Sequence, residues 1–514
     1  MSSPLSRRQA LKLGAAAAVG AASLPLVSCA RASAKPKHII FMVSDGMSLG
    51  VPTLAEAFSQ LLGKGETNWH ALARRPETVH GFFDMASLNS IVTDSAPASS
   101  SWGTGSRIFN RVINVLPDGT ALQPIAHAVK ASGRSMGLVT TATITHATPA
   151  GFAAVSQNRD DEALIATQYL NLVDVLLGGG LGFFDPEVRE DTRDLLGEYK
   201  QAGYAVLKNR SELAAASGQK KILGLFDPHF LPFTVDWNNS TTLQQRVPTL
   251  AEMSTLALQS LRQNPNGFLL QIEGARVDHA AHANDPAAIL WDQLAFDAAL
   301  GVALDFVRSN PDTLLIVTSD HGNSNPGLNG MGKEYSQSNA CFARLKDFRA
   351  STLLMLSDLQ RIVRVTKAVK PEEVLARVKE GTGLTLAPEQ AQALADLLTN
   401  KPVSAGNQQH ANFVGLLGEF TGNQTGIGWT GTTHTADYTP ILALGPGADG
   451  YHGLRLNTDS YPHLTALMGV PHRNPSMTPE EAAKFRKELA SVENEHWQHH
   501  EVPALARTGQ RWAT

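Results

Sequence analysis

A run of ten residues, 273–282, contains the densest group of chemically reactive side chains in this sequence. Glu273 ends an apolar stretch, and Asp278 and His282 follow it four residues apart. Residues at this spacing lie on the same face of a helix, so Asp278 and His282 can bind one cation. Glu273 can reach a second cation from the end of the stretch. The same Asp/His spacing also occurs on solvated helix faces, so the run alone leaves both interpretations open.

Other reactive residues follow further apolar runs, which predict strands. Runs that are apolar throughout indicate strands buried on both faces of a parallel sheet. Ligands of open α/β sheets bind outside the carboxyl ends of such strands. We therefore expect these residues to meet at one edge of a central, mostly parallel sheet with helices on both faces. The predicted strands and the residues beside them are 38–43 with Asp45, 136–140 with Thr148, 268–272 with Glu273, 313–318 with Asp320 and His321, and 440–444 with the preceding His434.

The chemistry of this set favours bound zinc and magnesium. Imidazole and carboxylate groups suit Zn²⁺, whereas carboxylate and hydroxyl oxygens suit Mg²⁺. The sequence has only two cysteines, so an open catalytic site is favoured over a structural zinc site. Two metal ions about 4 Å apart can stabilise an in-line displacement at phosphorus.

A candidate nucleophile, Ser95, lies in residues 92–97. If the chain is helical from Ala96 onward, Ser95 lies at a helix N-terminus, where backbone N–H groups favour an anion. Coordination to a metal can activate its hydroxyl without a separate base. Serine is also a common N-cap, so a purely structural role is the alternative.

The composition is that of a globular α/β enzyme. The chain has 514 residues, 43% of them hydrophobic, and a net charge of -4. This mild charge does not point to a nucleic-acid partner or to a basic membrane-binding surface. Asp285 and Pro286 predict the start of a long helix that reaches about Phe306, and Thr478 and Pro479 predict another helix start. We expect one catalytic domain over residues 35–514. Within it, residues of about 334–429 are predicted to form a cap or insertion, or else a peripheral part of the same domain. Short helices are predicted in this segment at 371–379 and 388–398.

Residues 1–34 are predicted to be a twin-arginine export signal. Arg7 and Arg8 precede an apolar, alanine-rich stretch that reaches Val27. A lipobox ending at Cys29 would attach a lipid and anchor the protein to a membrane, whereas residues 32–34 fit a signal peptidase site. If Cys29 carries lipid, Cys341 has no partner for a disulfide. We therefore expect a periplasmic or cell-surface protein.

Taken together, these motifs resemble those of the metal-dependent alkaline phosphatases. The resemblance covers roughly residues 37–445, in family order, and its combination of motifs is specific although each motif alone is weak. The motifs are residues 45–47, 93–96 with the later 102–105, 146–150 through Arg159, 273–282, 320–321 and His434.

The resemblance implies a role for each of these residues. Asp278, His282 and His434 would hold a first zinc ion. A second zinc ion would bind Asp45, Asp320, His321 and the nucleophile Ser95. A magnesium ion would bind Asp45, Thr148 and Glu273. Arg159 would bind two phosphate oxygens with its planar fork, and Asp94 would orient Arg159.

Two histidines differ from some members of the family. His146 stands where certain bacterial members carry Asp, and His279 stands where they carry Lys; animal members carry His at both positions. Imidazole would reduce the charge near magnesium and phosphate. With His146 in place of Asp, we expect weaker magnesium retention. With His279 in place of Lys, we expect faster phosphate release than with a fixed ammonium group. We expect both histidines to lie close to the substrate.

The implied function is hydrolysis of phosphate monoesters through a phosphoserine. One alternative is a phosphodiesterase or nucleotide pyrophosphatase of the same superfamily, but Thr148, Glu273 and Arg159 favour the monoesterase. A sulfatase is disfavoured because residues 93–97 do not match the motif that gives formylglycine. A non-catalytic lipoprotein that binds metal or phosphate is a further alternative. Family resemblance also implies a homodimer.

Overall fold

A ten-stranded sheet dominates the structure, a computed structural model that describes residues 35–488. Its order is β14-β2-β13-β8-β1-β7-β3-β4-β6-β5, and β9 with β12 and β10 with β11 form two small pairs. The strands are β1 His38–Ser44, β2 Val79–Asp84, β3 Ser135–Thr143, β4 Val175–Gly179, β5 Ala205–Leu207, β6 Ile222–Leu225, β7 Phe268–Gly274, β8 Thr313–Thr318, β9 Gly322–Asn323, β10 Gly327–Leu328, β11 Ile427–Gly428, β12 His434–Thr435, β13 Thr439–Leu444 and β14 Gly453–Leu456.

Helices surround the sheet and supply the connections between its strands. The described α-helices are α1 Gly50–Leu61, α2 Asn68–Ala73, α3 Ser95–Thr104, α4 Ile125–Ala131, α5 Ala147–Ala153, α6 Glu162–Gln168, α7 Leu195–Gln201, α8 Thr234–Asn238, α9 Thr241–Arg246, α10 Leu250–Leu261, α11 Arg276–His282, α12 Pro286–Ser309, α13 Ser338–Ala343, α14 Thr352–Thr366, α15 Pro371–Thr382, α16 Pro388–Leu398, α17 Phe413–Thr425, α18 Ser460–Leu467 and α19 Pro479–Ala482.

Side chains of the central strand β1 alternate between two hydrophobic clusters. Phe41 belongs to the cluster that includes Trp102 of α3 and Phe152 of α5. Met42 belongs to the cluster that includes Leu300 of α12. Successive strand residues point to opposite faces, so helices cover both faces of the sheet, as the continuous apolar runs predict.

The direction of β13 is a correction to the sequence-based prediction. The run 440–444 was expected to be parallel to the other strands, but β13 is antiparallel to both β8 and β2. A continuous apolar run indicates burial and does not encode direction. The chain enters β13 from β12, which pairs with β9 just beyond the end of β8, so β13 has to run back alongside β8.

The predicted insertion is mostly helical. Between residues 334 and 429 the chain forms α13 to α17 and the short strand β11. Leu356 and Leu394 of this segment share a hydrophobic cluster with Phe58 of α1 and Leu290 of α12. All described residues belong to one compact unit by their contacts.

Helix starts are well encoded in this chain. The Asp285 side chain accepts hydrogen bonds from two backbone N–H groups of α12, with Pro286 as the first helical residue, as predicted.

Of the described helices, α12 is long and apolar enough to cross a membrane, but 67% of its most apolar window is buried in the structure, as in a core helix. Cys341 is buried and makes no disulfide. The predicted export signal, including Cys29, lies outside the described residues.

Candidate active site

Four neighbouring strands bring the predicted ligands to one edge of the sheet. In the order β8-β1-β7-β3, Val43 of β1 pairs with Glu273 on one side and with Thr318 on the other. Thr140 of β3 also pairs with Glu273. The carboxyl ends of these strands are therefore level, and the residues that follow them meet. His434 arrives separately, because β12 pairs with β9 directly after Asp320 and His321.

Asp278, His282 and His434 form the first of three groups that can hold a metal ion. One ligand atom from each lies within 4.8 Å of the others. The Nε2 atoms of His282 and His434 are 3.0 Å apart, and Asp278 lies 3.4 Å from His282 Nε2. Asn323 Nδ2 donates to Asp278 Oδ1 at 2.7 Å and fixes the direction of the carboxylate.

The two imidazoles of this group are oriented for a cation. The Nδ1 atoms of His282 and His434 lie 2.8 and 2.9 Å from the backbone carbonyls of Thr432 and Thr93. Carbonyl oxygens only accept, so each Nδ1 carries a proton. In the neutral rings both Nε2 lone pairs then face each other, which is repulsive unless a cation lies between them. This pattern is typical of metal-bound histidine.

Asp45, Asp320 and His321 form the second group. His321 Nε2 lies 3.5 Å from Asp45 Oδ1 and 3.2 Å from Asp320 Oδ2. The backbone N–H groups of Gly46 and His321 donate to Asp320 Oδ1, so its Oδ2 faces the group. A Cβ on Gly46, which has a φ of +67°, would lie 2.4 Å from Asp278 Oδ1. Glycine is required there because the first and second groups approach each other closely.

Asp45, Glu273 and His146 form the third group, and Thr148 lies at the start of the adjacent helix α5. Thr140 Oγ1 donates to Glu273 Oε2 at 2.6 Å. Both Asp45 oxygens, Glu273 Oε1 and Thr148 Oγ1 are buried and have no hydrogen-bond partner among the described residues. Buried oxygens without donors are costly, and a bound cation would satisfy them.

The electrostatics of these carboxylates also fit bound cations. Burial, together with the charge of Asp320, raises the pKa of Asp45 well above its ordinary value. Burial raises the pKa of Glu273 to about 7. Burial would raise the pKa of Asp278 too, but the positive charge of His282, when its ring is protonated, holds the pKa of Asp278 well below its ordinary value. A concentration of buried acids such as this needs positive charge to remain ionised.

Ser95 is the first residue of α3 rather than its cap. Asp94 is the N-cap, and its Oδ1 accepts from the backbone N–H of Ala96 at 2.7 Å. The Ser95 hydroxyl therefore has no capping role, and its Oγ lies 3.1 Å from His321 Nε2 in the second group. Capping by Asp94 removes the structural alternative that the sequence left open for Ser95.

Two hydrogen bonds hold Arg159 against His146 and against Asp94, the residue before Ser95 in the chain. Its Nη1 donates to Asp94 Oδ1 at 3.3 Å, and its Nη2 donates to His146 Nε2 at 2.9 Å. The backbone N–H of Arg111, at a φ of +70°, donates to Asp94 Oδ2 and fixes that carboxylate. Burial and the charge of Arg159 lower the pKa of His146 to about 3, so His146 is neutral and accepts from the guanidinium.

His279, the other predicted substrate-binding residue, lies in the same cluster. Its ring centroid is 5.8 Å from that of His146 and 4.5 Å from that of Phe230. Arg276 Nη1 donates to His279 Nδ1 at 2.6 Å. The structure therefore brings all the sequence-predicted site residues together at this edge of the sheet.

Three residues of the site were not identified from the sequence. Arg276 lies inside the run 273–282, where its spacing of three from His279 was the available signal. Asn323 follows Asp320 and His321 closely, which is a weaker signal. Phe230 lies in a loop far from every motif, and nothing in the sequence indicates its contact with His279.

The sequence matches the alkaline phosphatase family over residues 36–469. Alkaline phosphatase 4 of Bacillus subtilis is 30% identical over 440 residues, which cover 83% of this chain and 87% of that protein. Among solved structures, the alkaline phosphatase of Thermus thermophilus is similar with a TM-score of 0.82 and 33% identity, over 88% of this chain and 96% of that chain. A cold-active alkaline phosphatase from Shewanella sp. has a TM-score of 0.66 and 26% identity, over 84% and 99%. These similarities confirm the predicted α/β fold.

Proposed function

Because this chain belongs to the alkaline phosphatase family, whose members hydrolyse phosphate monoesters, we propose that it acts through a phosphoserine on Ser95, at a site with two zinc ions and one magnesium ion. The observation that most directly supports this is the 3.1 Å separation of Ser95 Oγ and His321 Nε2. The buried Ser95 hydroxyl lies next to a histidine of the second group, and Arg159 contacts the adjacent residue Asp94.

The three groups of side chains suit three ions. Asp278, His282 and His434 would hold one zinc ion. The second zinc ion would be held by Asp45, Asp320 and His321, with Ser95 beside them, and the magnesium ion by Asp45, Thr148 and Glu273. Bound zinc would supply Lewis acidity that lowers the pKa of a nearby hydroxyl and stabilises negative charge on phosphate and leaving group. The ligands must be deprotonated, so activity should rise toward alkaline pH.

Arg159 would bind the phosphoryl group. Its planar guanidinium can donate to two phosphate oxygens, and its contacts with Asp94 and His146 orient it before substrate arrives. Asp94 orients Arg159 and is also the N-cap of α3, so it fixes the position of Ser95, the first residue of that helix. Ser95 would attack phosphorus opposite the leaving oxygen, and water would then hydrolyse the phosphoserine. Such a reaction depends mainly on positioning and charge stabilisation.

Replacement of Ser95 tests the covalent route. Enzyme mixed with a ³²P-labelled monoester and quenched in acid should carry label on the peptide that contains Ser95. Ser95→Ala should lose that label and at least about a hundredfold in kcat, because the nucleophile is removed. Ser217→Ala, at an exposed position, is the control and should keep both. Full turnover by Ser95→Ala would exclude the phosphoserine.

Metal analysis and a choice of substrates test the rest of the proposal. Purified enzyme should contain two zinc ions, should bind one magnesium ion when Mg²⁺ is supplied, and should hydrolyse a chromogenic monoester faster than a bis-ester. A faster reaction with the bis-ester would favour a phosphodiesterase. Bound metal without turnover of either substrate would favour a binding protein.

We also propose that the protein is exported by the twin-arginine route and acts in the periplasm or at the cell surface. Arg7 and Arg8 before an apolar stretch support the route, and the sequence around Cys29 supports lipid attachment. Fractionation of cells that express the wild type and Cys29→Ser tests this. The wild type should be in the membrane fraction and the variant should be released; equal distribution would exclude the lipid anchor.

A further inference from the structure

Arg276 and His279 form a buried pair beside the proposed phosphate site. Both residues lie on α11, three positions apart, and they are 7% and 1% exposed. Arg276 Nη1 lies 2.6 Å from His279 Nδ1, which is a short contact even for a charge-assisted hydrogen bond. Asp278, a proposed zinc ligand, lies between them in the sequence.

The direction of this hydrogen bond follows from the chemistry of arginine. A guanidinium has five N–H donors, no acceptor, and keeps its proton in proteins. His279 Nδ1 must therefore present its lone pair to Arg276. A ring that accepts at Nδ1 is neutral and carries its proton on Nε2.

Arg276 is itself fixed by aromatic packing. Its guanidinium carbon lies 3.5 Å from the centroid of the Phe233 ring and 5.6 Å from that of Phe230, distances at which a cation interacts favourably with the ring face. Its backbone N–H donates to Thr141 Oγ1. Phe230 also packs on His279 at 4.5 Å, so one aromatic side chain contacts both members of the pair.

We infer that Arg276 is a positioning residue that holds His279 as a neutral imidazole with Nε2–H as a hydrogen-bond donor to the substrate phosphoryl group. The inference rests on the proposed function, since it assigns the donor to the phosphate bound by Arg159. The His279 ring centroid is 5.8 Å from that of His146, and His146 accepts a hydrogen bond from Arg159, so His146 lies between the two proposed phosphate-binding groups in this chain of contacts. His279 thereby contributes a hydrogen bond to phosphate from an uncharged ring.

The tautomer of His279 can be measured in the wild-type enzyme without turnover. Two-bond ¹H–¹⁵N correlation spectra of metal-loaded, ¹⁵N-histidine-labelled enzyme distinguish the protonated ring nitrogen from the unprotonated one. His279→Ala identifies the His279 signals by their loss. We expect protonated Nε2 and unprotonated Nδ1. Protonated Nδ1, or a doubly protonated ring, would overturn the inference.

A double-mutant cycle tests whether Arg276 acts through His279. Arg276→Met retains an apolar stem between the phenylalanines and removes the donor. Arg276→Met should lower the affinity for inorganic phosphate, measured by calorimetry, about tenfold when His279 is present. In the His279→Ala variant the same substitution should lower it less than twofold, because the effects of substitutions at contacting residues are not additive. An equal loss in both backgrounds would show that Arg276 does not act through His279.

Arg276→Lys addresses the risk that Arg276→Met fails to fold, because it keeps a charge near the buried carboxylates. Lysine is a point donor without the planar fork. The Arg276→Lys variant should retain the Nε2–H tautomer of His279 and should weaken phosphate binding less than Arg276→Met does. Loss of this His279 tautomer together with unchanged phosphate affinity would overturn the inference. Failure of the proposed function is separate, since it would appear as no monoester turnover in the wild type, whatever tautomer is observed.

Discussion

At the scale of single residues, His146 contacts the proposed phosphate-binding arginine and also has a ring nitrogen within 4.8 Å of the proposed magnesium ligands Asp45 and Glu273. Its Nε2 accepts from Arg159, so Nδ1 is the nitrogen that remains for a cation. Imidazole suits zinc better than magnesium, which prefers hard oxygen ligands. His146 therefore weakens the third group as a magnesium site while it holds Arg159 in place.

Replacement of His146 by aspartate should strengthen magnesium binding. His146→Asp adds a charged oxygen ligand beside Asp45 and Glu273, so we expect about tenfold higher affinity for Mg²⁺. Titration of Mg²⁺ into chelated, zinc-restored enzyme measures this by activity and by equilibrium dialysis. His127→Asp adds the same charge at an exposed position and should change nothing. If His146→Asp binds Mg²⁺ no more tightly than the wild type, His146 does not limit the site.

Asp292 makes the stability of the protein depend on pH. It is buried on α12 and accepts from Thr234 Oγ1 at 2.8 Å. Burial raises its pKa to about 7, above the ordinary value near 3.8. Since the folded state binds this proton more tightly than the unfolded chain, the stabilisation is complete below about pH 4 and is lost as the pH rises toward 7.

The pH dependence can be isolated with Asp292→Asn, which stays neutral. In the presence of chelator, the free energy of unfolding of the wild type minus that of Asp292→Asn should fall by on the order of 3 kcal/mol between pH 4 and pH 8. Denaturant unfolding at several pH values measures it. Asp305→Asn, on the same helix but exposed, is the control and should give a nearly constant difference. A constant difference for Asp292→Asn as well would show that Asp292 keeps an ordinary pKa.

At the scale of elements, α3 and α5 pack with their backbones almost in contact. A Cβ on Gly103 of α3 would lie 2.0 Å from the carbonyl oxygen of Gly151 in α5. All residues of both helices are buried, and α3 carries Ser95 while α5 carries Thr148. The separation of these two helices therefore sets the distance between the proposed nucleophile and the proposed magnesium ligand.

Gly103→Ala should separate the two helices. Because the clash is with backbone rather than with a flexible side chain, we expect a loss of about 3 kcal/mol in the free energy of unfolding and a reduced kcat. Gly406→Ala, where a Cβ would meet no atom within 4 Å, is the control and should cost less than about 0.5 kcal/mol. Equal effects of the two substitutions would contradict the packing argument.

The elements that could be predicted from the sequence are those whose pattern is local. The apolar run before Glu273 predicts β7, and Asp285 with Pro286 predicts the start of α12, because burial and capping act on neighbouring residues. The direction of β13 could not be predicted, since it depends on the pairing of β12 with β9, which are 111 residues apart at Asn323 and His434. Non-local pairing leaves no periodic signal.

The same distinction holds within the site. Asp278 and His282 were identifiable because helical spacing places them on one face. Arg276 is at an equally informative spacing from His279, but a guanidinium next to a carboxylate and two histidines is most often a surface ion pair, so its burial between Phe230 and Phe233 could not be anticipated. These phenylalanines come from a loop that only the folded chain brings to α11.

At the scale of the whole molecule, the proposed metal sites join distant parts of the chain. Asp45, Asp278, Asp320 and His434 come from segments separated by up to several hundred residues, and they meet only in the folded state. The side chains that meet there are acids and histidines, and their buried negative charges and lone pairs repel one another. Without cations the edge of the sheet is therefore a source of instability, and with cations it links β1, β7, β8 and β12.

Removal of metal should lower the stability of the entire domain. An ion that binds only the folded state at 1,000 times its Kd adds about 4 kcal/mol, so the metal-loaded enzyme should melt at a distinctly higher temperature than the chelated enzyme. His434→Gln should lose most of the contribution of the first group while the other two groups remain. His38→Gln removes a buried histidine at the start of β1, at the opposite end of that strand from Asp45, so it should lower the melting temperature equally with and without metal. Calorimetry of the three proteins with zinc or with chelator measures these melting temperatures. If zinc raises the melting temperature of His434→Gln as much as that of the wild type, His434 binds no stabilising ion.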